Sequence, residues 1–488
     1  MNQDLQGIKN GIFWKTVSTG LNALAGFFMS IILARFLGKD GYGELILVYT
    51  VVSLFAVLSN FGLNAALQRF IPLYIKRKDD EKTTAFILTS VGLGVFFTTL
   101  SSVIMFLMSD FIAVDIFHNP AAAVYMRWGV LYLFALSLLT NIVFSIYYGF
   151  QRWKEECLLN GIYLFLSSSA VFIALSAFKK GIAEILEISA AACLIGIAGG
   201  MFYIARFIKS LAAPLKFDEF RSQIKETLYF SAPMLMGGVL FYFVTQFDKL
   251  ILGKYRPAGE LAQYYIALAL GTGIIMFIRV SETVLTPYLA RLTGEDDMLL
   301  KTRFQTIFRL FLHLPIAASI FLYFFIGPFI RFVYGPNFEI AVAAFKIYLI
   351  ILVLRSAMTP LGLFLTNVYA NTREIAKISV LSASAHFILY ITLIPRYGYK
   401  GALATMIIAY MIVWAYVVLA VKDIKRLIPY RSLLHAAVGM AIVASACFIA
   451  DFCRVYNKLL FSFLLPLVYL SFVLLREDVK ISRIKNAV

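Results

Sequence analysis

The sequence predicts an all-α polytopic membrane protein of about 14 transmembrane helices, built as two six-helix pseudo-repeat lobes plus two C-terminal helices. Three observations carry this. First, 61% of the 488 residues are hydrophobic and only 15% are charged, where a soluble domain holds roughly 25% charged residues. Second, apolar runs of about 20 residues recur along the whole chain, each long enough to cross a bilayer core of roughly 30 Å as a helix. Third, short motifs recur in order in the two halves. In lipid every backbone polar group needs an internal partner, so repeated runs of this kind form a helix bundle. A transmembrane β-barrel is excluded, because its strands would alternate over about ten residues.

Taken in order, the spans run over about 12–35, 44–66, 84–109, 122–148, 157–178, 183–207, 227–252, 261–289, 305–330, 340–369, 376–394, 400–421, 432–451 and 458–475. The first reads as a full span and not as a cleaved leader, since no Ala-x-Ala follows it. Two stretches, 209–225 and 291–304, are charged and too polar to cross. The first of these, from Lys209 through Lys216, Asp218, Arg221 and Lys225, reads as a cytoplasmic amphipathic helix joining the halves. The domains are therefore expected as an N-lobe at 1–208 (spans 1–6), the linker at 209–225, a C-lobe at 226–430 (spans 7–12), and spans 13–14 with a cytoplasmic tail at 431–488.

The formal charge is +17, from 44 Lys and Arg against 27 Asp and Glu. In a soluble protein that balance would suggest nucleic acid. Here the basic residues sit in short loops between apolar runs, so no nucleic-acid partner is expected. They are about twice as frequent in the loops of one side, which places both termini in the cytoplasm. The clearest cytoplasmic loop is Lys76-Arg77-Lys78-Asp79-Asp80-Glu81-Lys82.

The repeat fixes the architecture. Leu37-Gly38-Lys39 followed by Gly43-Glu44-Leu45 matches Leu252-Gly253-Lys254 followed by Gly259-Glu260-Leu261. Phe117-His118-Asn119-Pro120 matches Val333-Tyr334-Gly335-Pro336, and Lys180-Gly181 matches Lys400-Gly401. Each copy has an even number of spans, so the copies share orientation about an axis along the membrane normal, an arrangement of transporters.

Cofactor and enzyme signals are missing. Cys157, Cys193, Cys447 and Cys453 are scattered, with no CxxC, and His118, His313, His386 and His435 are equally dispersed. No metal site and no cofactor are expected. Gly38-Lys39 and Gly253-Lys254 lack the upstream glycine and following Ser or Thr of a phosphate loop, so no ATP engine is expected either. No nucleophile elbow or acid/base pair has supporting spacing, and no loop exceeds about 25 residues. The chain is expected not to be an enzyme.

The segment Ala34-Arg35-Phe36-Leu37-Gly38-Lys39-Asp40-Gly41-Tyr42-Gly43 resembles the signature of Wzx-type lipid-linked oligosaccharide flippases. These are the polysaccharide transporters of the multidrug/oligosaccharidyl-lipid/polysaccharide exporter superfamily. Asp248-Lys249-Leu250-Ile251-Leu252-Gly253 and Gly259-Glu260-Leu261-Ala262-Gln263-Tyr264-Tyr265 resemble the matching signature after the seventh span. Tyr334-Gly335-Pro336 and Gly398-Tyr399-Lys400-Gly401-Ala402 recur at similar places in that family. The resemblance covers nearly the whole chain. It implies two V-shaped lobes and movement of undecaprenyl-pyrophosphate-linked sugar repeat units from the inner to the outer leaflet by alternating access. It also implies membrane lipids, a polysaccharide polymerase and glycosyltransferases as partners. The same superfamily contains multidrug/cation antiporters and lipid II flippases. The latter usually carry an Arg-Asp pair early in span one, where this chain reads Ser18-Thr19-Gly20-Leu21-Asn22.

Charged groups inside spans mark a pathway or pair with one another. Arg355, mid-span ten with no acid within four residues, is a candidate to hold an anionic headgroup, because a guanidinium fork matches phosphate. Its alternative is a partner acid on another helix. Arg279 and Glu282 lie three apart on span eight, as an ion pair or as a switch in which protonated Glu282 frees Arg279. Asp248 is a second coupling-ion candidate, with a solvated outer rim as its alternative. Arg35, Lys39 and Arg127 complete an expected basic lining for the headgroup. Lys346 is expected to snorkel to the interface. Asn22, Asn64, Gln68, Asn141, Gln246 and Asn367 are amides that bind sugar hydroxyls or tie helices together. Tyr147, Tyr148, Tyr242, Tyr264 and Tyr265 are candidate sugar-stacking rings.

Overall fold

The computed structural model describes residues 2–179, 181–208, 217–452 and 458–476, and every regular element among them is helical. In chain order these are α1 (Asn2–Asn60), α2 (Leu63–Lys76), α3 (Asp80–Asp110), α4 (Ala122–Ser137), α5 (Ser145–Gly149), α6 (Trp153–Phe178), α7 (Ile182–Ile208) and α8 (Phe217–Thr245). They continue as α9 (Phe247–Tyr255), α10 (Ala258–Ala290), α11 (Asp297–Val333), α12 (Glu339–Asn367), α13 (Thr372–Tyr397), α14 (Tyr399–Ala420), α15 (Lys422–Lys425), α16 (Tyr430–Phe452) and α17 (Lys458–Arg476). π-helical stretches extend α3 over Phe111–Ile116 and α4 over Leu138–Phe144.

Ten helices among the described residues are long and apolar enough to cross a membrane. One of them, Asn10–Lys76, has 67 residues, which is about 100 Å at 1.5 Å per residue. That is some three times a bilayer core of roughly 30 Å, so it cannot be one crossing. Gly38 breaks it, with φ 68° and ψ −179°, and the two arms are spans one and two. α10, α16 and α17, of 33, 23 and 19 residues, correspond to spans eight, thirteen and fourteen. With them the helices account for all the expected spans. The charged cluster at 76–82 ends one helix and caps the next: Asp79 accepts from the Lys82 backbone N–H at 3.1 Å, satisfying an orphan donor of the first turn of α3.

The chain divides into two compact units, Met1–Ala262 and Gln263–Val488. The boundary falls inside α10 and not at the linker. α8 packs on α1, α2 and α3, and the Tyr242 hydroxyl donates to the Thr50 carbonyl of α1 at 3.0 Å. The seventh span therefore packs with the first unit. Of the expected linker, 209–216 lies outside the described residues, and 217–225 forms the opening turns of α8.

Three helix pairings occur in both units: α3 with α4 and α11 with α12, α6 with α7 and α13 with α14, α4 with α7 and α12 with α14. Two of the matched pairs lie at turns: His118 (φ 51°) and Gly335 (φ 111°) fall within one, and Lys179 (φ 48°) and Gly398 (φ 58°) fall just before another.

Between helices in lipid the hydrophobic effect contributes little, so close packing and polar ties must specify the bundle. In the first unit the Ser59 hydroxyl of α1 donates to Ser137 Oγ at 2.9 Å, and Asn141 Nδ2 donates to Ser59 Oγ at 3.3 Å. Asn141 is thus a helix tie. In the second unit Phe304 packs edge-on against Phe364, centroids 4.9 Å apart. His313 Nδ1 meets the buried Tyr469 hydroxyl at 2.8 Å, and Arg309 Nε donates to Ser432 Oγ at 3.2 Å. These contacts dock α16 and α17 onto α11 within one core.

The motif glycines have a structural reason. A Cβ on Gly43 would overlap the Ala258 carbonyl, and Gly259 returns the contact against Asp40 and the Lys39 stem. The two copies of the repeated motif pack on one another. Gly43→Ala must displace backbone and not a flexible side-chain tip. A loss of about 1–3 kcal/mol is expected, as in other overpacked sites, seen as a lower melting temperature of the purified chain. Melting unchanged by this variant would contradict the close approach.

Candidate functional site

A polar pocket lies inside the first unit, where α1, α6 and the end of span four meet. α1 contributes Lys15, Ser18, Thr19 and Asn22, spaced i, i+3, i+4, i+7 and so on one face of the helix. α6 contributes Glu156 and Asn160, one turn apart. The π-helical stretch of span four brings Thr140 and Phe144 to the same wall, followed by Tyr148 of α5. Its wider turn is held by the Ser145 hydroxyl, which donates to the Thr140 carbonyl at 3.3 Å. Such π-stretches often mark functional sites. The cavity measures about 240 Å³.

Its hydrogen bonds form one network. The Ser18 hydroxyl donates to Glu156 Oε1 at 3.2 Å, and the Tyr148 hydroxyl donates to the same oxygen at 2.8 Å. Asn160 Nδ2 donates to Ser18 Oγ at 3.1 Å, and Asn22 Nδ2 donates to the Ser18 carbonyl at 2.8 Å. Lys15 Nζ donates to the Tyr148 hydroxyl at 2.5 Å and lies 4.1 Å from the centre of that ring. Glu156 is only 2% exposed. Its second oxygen, Oε2, has no hydrogen-bond partner among the described residues.

A second polar line crosses the second unit. The Thr359 hydroxyl of α12 lies 3.3 Å from Glu282 Oε1 of α10 and 3.4 Å from the Arg355 carbonyl, able to donate to either. Arg355 is half-buried one turn earlier on α12, with Tyr410 of α14 within electrostatic reach. Among the described residues no carboxylate forms an ion pair with it. Pro360 follows inside the same helix. The Arg279 side chain, and with it the expected pairing with Glu282, lies outside the described residues.

The other sequence-predicted residues are placed elsewhere. Arg127 grips both carboxylate oxygens of Asp110, at 2.9 and 2.8 Å, in an exposed pair. Arg35 and Lys39 are exposed on either side of the Gly38 turn. Asp248 is fully buried, 3.7 Å from the buried Lys249 ammonium. Lys249 also donates to Gln246 Oε1 at 2.7 Å and to the Thr245 carbonyl at 2.8 Å. These bonds close the break between α8 and α9. Lys346 lies over the Tyr323 ring at 4.2 Å. Asn367 bonds its own helix at the Leu363 carbonyl. Among the described residues no three His, Cys, Asp or Glu side chains are grouped to hold a metal ion.

Glu156, Lys15, Ser18 and Asn160 were not singled out by the sequence reading. The signal available was the polar stripe at 15, 18, 19 and 22 on an otherwise apolar helix.

The chain matches the family model described as polysaccharide biosynthesis protein over residues 8–293, more than half its length. Lipopolysaccharide biosynthesis protein WzxC of Escherichia coli is 22% identical over 366 residues, covering 72% of this chain and 68% of that protein. An uncharacterized membrane protein of Methanocaldococcus jannaschii is 22% identical over 491 residues, 95% of this chain and 94% of that one. Among solved structures, the lipid II flippase MurJ in an inward closed conformation is similar with a TM-score of 0.72 at 17% identity, covering 94% of this chain and 98% of that one. An inward-facing multidrug resistance MATE family transporter of the MOP superfamily gives 0.63 at 13% identity, covering 85% and 94%. At these identities the structural likenesses establish the fold alone.

Proposed function

Because the chain belongs to the polysaccharide biosynthesis protein family, we propose that it flips a polyprenyl-pyrophosphate-linked oligosaccharide from the inner to the outer leaflet. The relative WzxC and the fold shared with a lipid II flippase support this reading. The observation that carries it is Arg355, a half-buried guanidinium in a span with no carboxylate pairing it among the described residues. A cation at membrane depth is costly, and it marks a pathway or a partner. A pyrophosphate would supply an anion in the bidentate geometry a guanidinium favours.

In this mechanism the headgroup enters from the cytoplasmic side, Arg355 holds its phosphates, and the polyprenyl tail stays in lipid. Alternate opening then presents the sugars outside. What the protein removes is the cost of carrying a bare charged headgroup through hydrocarbon. Glu282, bonded through Thr359 to the same helix as Arg355, is the better placed coupling-ion candidate, since Asp248 already has a buried ammonium beside it. Both termini lie in the cytoplasm in this scheme, and a polymerase and glycosyltransferases act on either side of the transport step.

Reconstitution tests the proposal. Vesicles holding the purified chain and a polyprenyl-pyrophosphate saccharide should expose the sugar to an impermeant lectin, faster than protein-free vesicles do. Equal rates would refute it. The competing reading, multidrug efflux, draws on the MATE-like fold. It requires drug sensitivity in a deletion strain whose surface polymer is normal.

A further inference from the structure

We propose that the pocket of the first unit is a monosaccharide-reading subsite, which takes one hydroxyl-rich sugar ring of the cargo. The proposal rests on the flippase reading and adds a site to it, separate from Arg355. The chemistry of the lining selects the ligand. Glu156 Oε2 is buried, accepts hydrogen bonds only, and has no donor among the described residues, which is an expensive state. A ligand that displaces solvent from this oxygen would therefore bring an O–H or N–H. Lys15 spends one donor on Tyr148 and has others to give, so the occupant must also bring acceptors.

A fully ionised phosphate fails the first requirement, because it has no hydrogen to donate, and Glu156 also repels its charge. A metal cation fails beside the Lys15 ammonium, which already serves the carboxylate through Tyr148. A sugar ring meets both requirements, since each hydroxyl donates and accepts. The Asn22 and Asn160 carboxamides and the Thr19 hydroxyl add neutral partners around the cavity, and the Phe144 and Tyr148 side chains supply apolar wall. The volume of about 240 Å³ lies at the small end of ligand pockets, which begin at roughly 300 Å³, and suits one sugar ring. In the proposed orientation the pocket lies near the cytoplasmic ends of spans one, four and five, where the cargo enters. There it would read the sugar.

The test uses the full chain in detergent, titrated with free glucose, galactose, mannose, rhamnose, N-acetylglucosamine and N-acetylgalactosamine. Tryptophan emission reports binding, because the Trp153 ring lies 5.3 Å from Tyr148. At least one sugar should change the emission saturably. Glu156→Gln should weaken that sugar at least tenfold. Thr19→Phe, which fills the cavity without touching the Glu156 network, should abolish binding while melting like the parent. Arg331→Ala, at the exposed pair with Glu339, should leave binding unchanged. No response to any of the six sugars, or an equal response in Glu156→Gln and Thr19→Phe, overturns the subsite. The vesicle assay separates the two proposals. Transport by a chain that binds no sugar sinks the subsite alone, and sugar binding by a chain that moves no lipid sinks the flippase reading alone.

Discussion

Arg355→Ala is expected to lower transport of a polyprenyl-pyrophosphate saccharide by at least roughly 100-fold, since two charge-assisted hydrogen bonds are worth about 1.5–3 kcal/mol each. Folding should be spared. No carboxylate pairs with Arg355 among the described residues, so its removal strands no buried charge, and the melting temperature should stay near that of the parent. That combination separates a transport role from a structural one. Arg355→Lys keeps the charge and loses the fork, and should fall between the two. The vesicle assay run beside a thermal melt checks all three chains. Parental transport by Arg355→Ala would remove the headgroup assignment.

Lys249→Met is expected to have the opposite signature, with the loss in folding. Asp248 and Lys249 are 0% and 6% exposed at their side chains and 3.7 Å apart. Removing one member of a buried pair leaves an uncompensated charge and costs about 3–5 kcal/mol. The same ammonium ties Gln246 and the Thr245 carbonyl where α8 gives way to α9, so its loss also loosens that junction. The purified variant should melt well below the parent or fail to accumulate. Asp248→Asn combined with Lys249→Met removes both charges and should recover most of the loss. A single variant that melts like the parent would show that the pair does not hold this junction.

The span pattern was legible because lipid imposes it: a helix must be long and apolar, and each break must carry charge or a turn residue. Gly38 and the 76–82 cluster could be read directly for that reason. Which helices pack together was less legible. Composition places the lobe boundary in the polar linker, whereas packing of α8 on α1, α2 and α3 carries the seventh span into the first unit. Polarity reports where a chain meets water and says little about which helix it packs against.

The site residues divide the same way. Arg355 stands out in the sequence because a lone charge inside an apolar run is visible by itself. Arg127 has the same visibility, yet its partner Asp110 lies 17 residues away on another helix, across a turn the pattern does not orient. The pocket required three helices to meet. Ser18 to Asn22 reads in one dimension as the absence of an Arg-Asp pair, and Lys15 as one more flanking charge. Wound onto a helix they form a stripe, and Glu156 joins it only once α6 is packed beside α1.

The most direct measurement of the central claim is mass spectrometry of polyprenyl-linked lipids in a strain lacking this chain, beside its parent and a strain carrying Arg355→Ala. The account predicts that a complete pyrophosphate-linked repeat unit accumulates in both altered strains, with surface polymer lost. An unchanged lipid pool with normal surface polymer would contradict it.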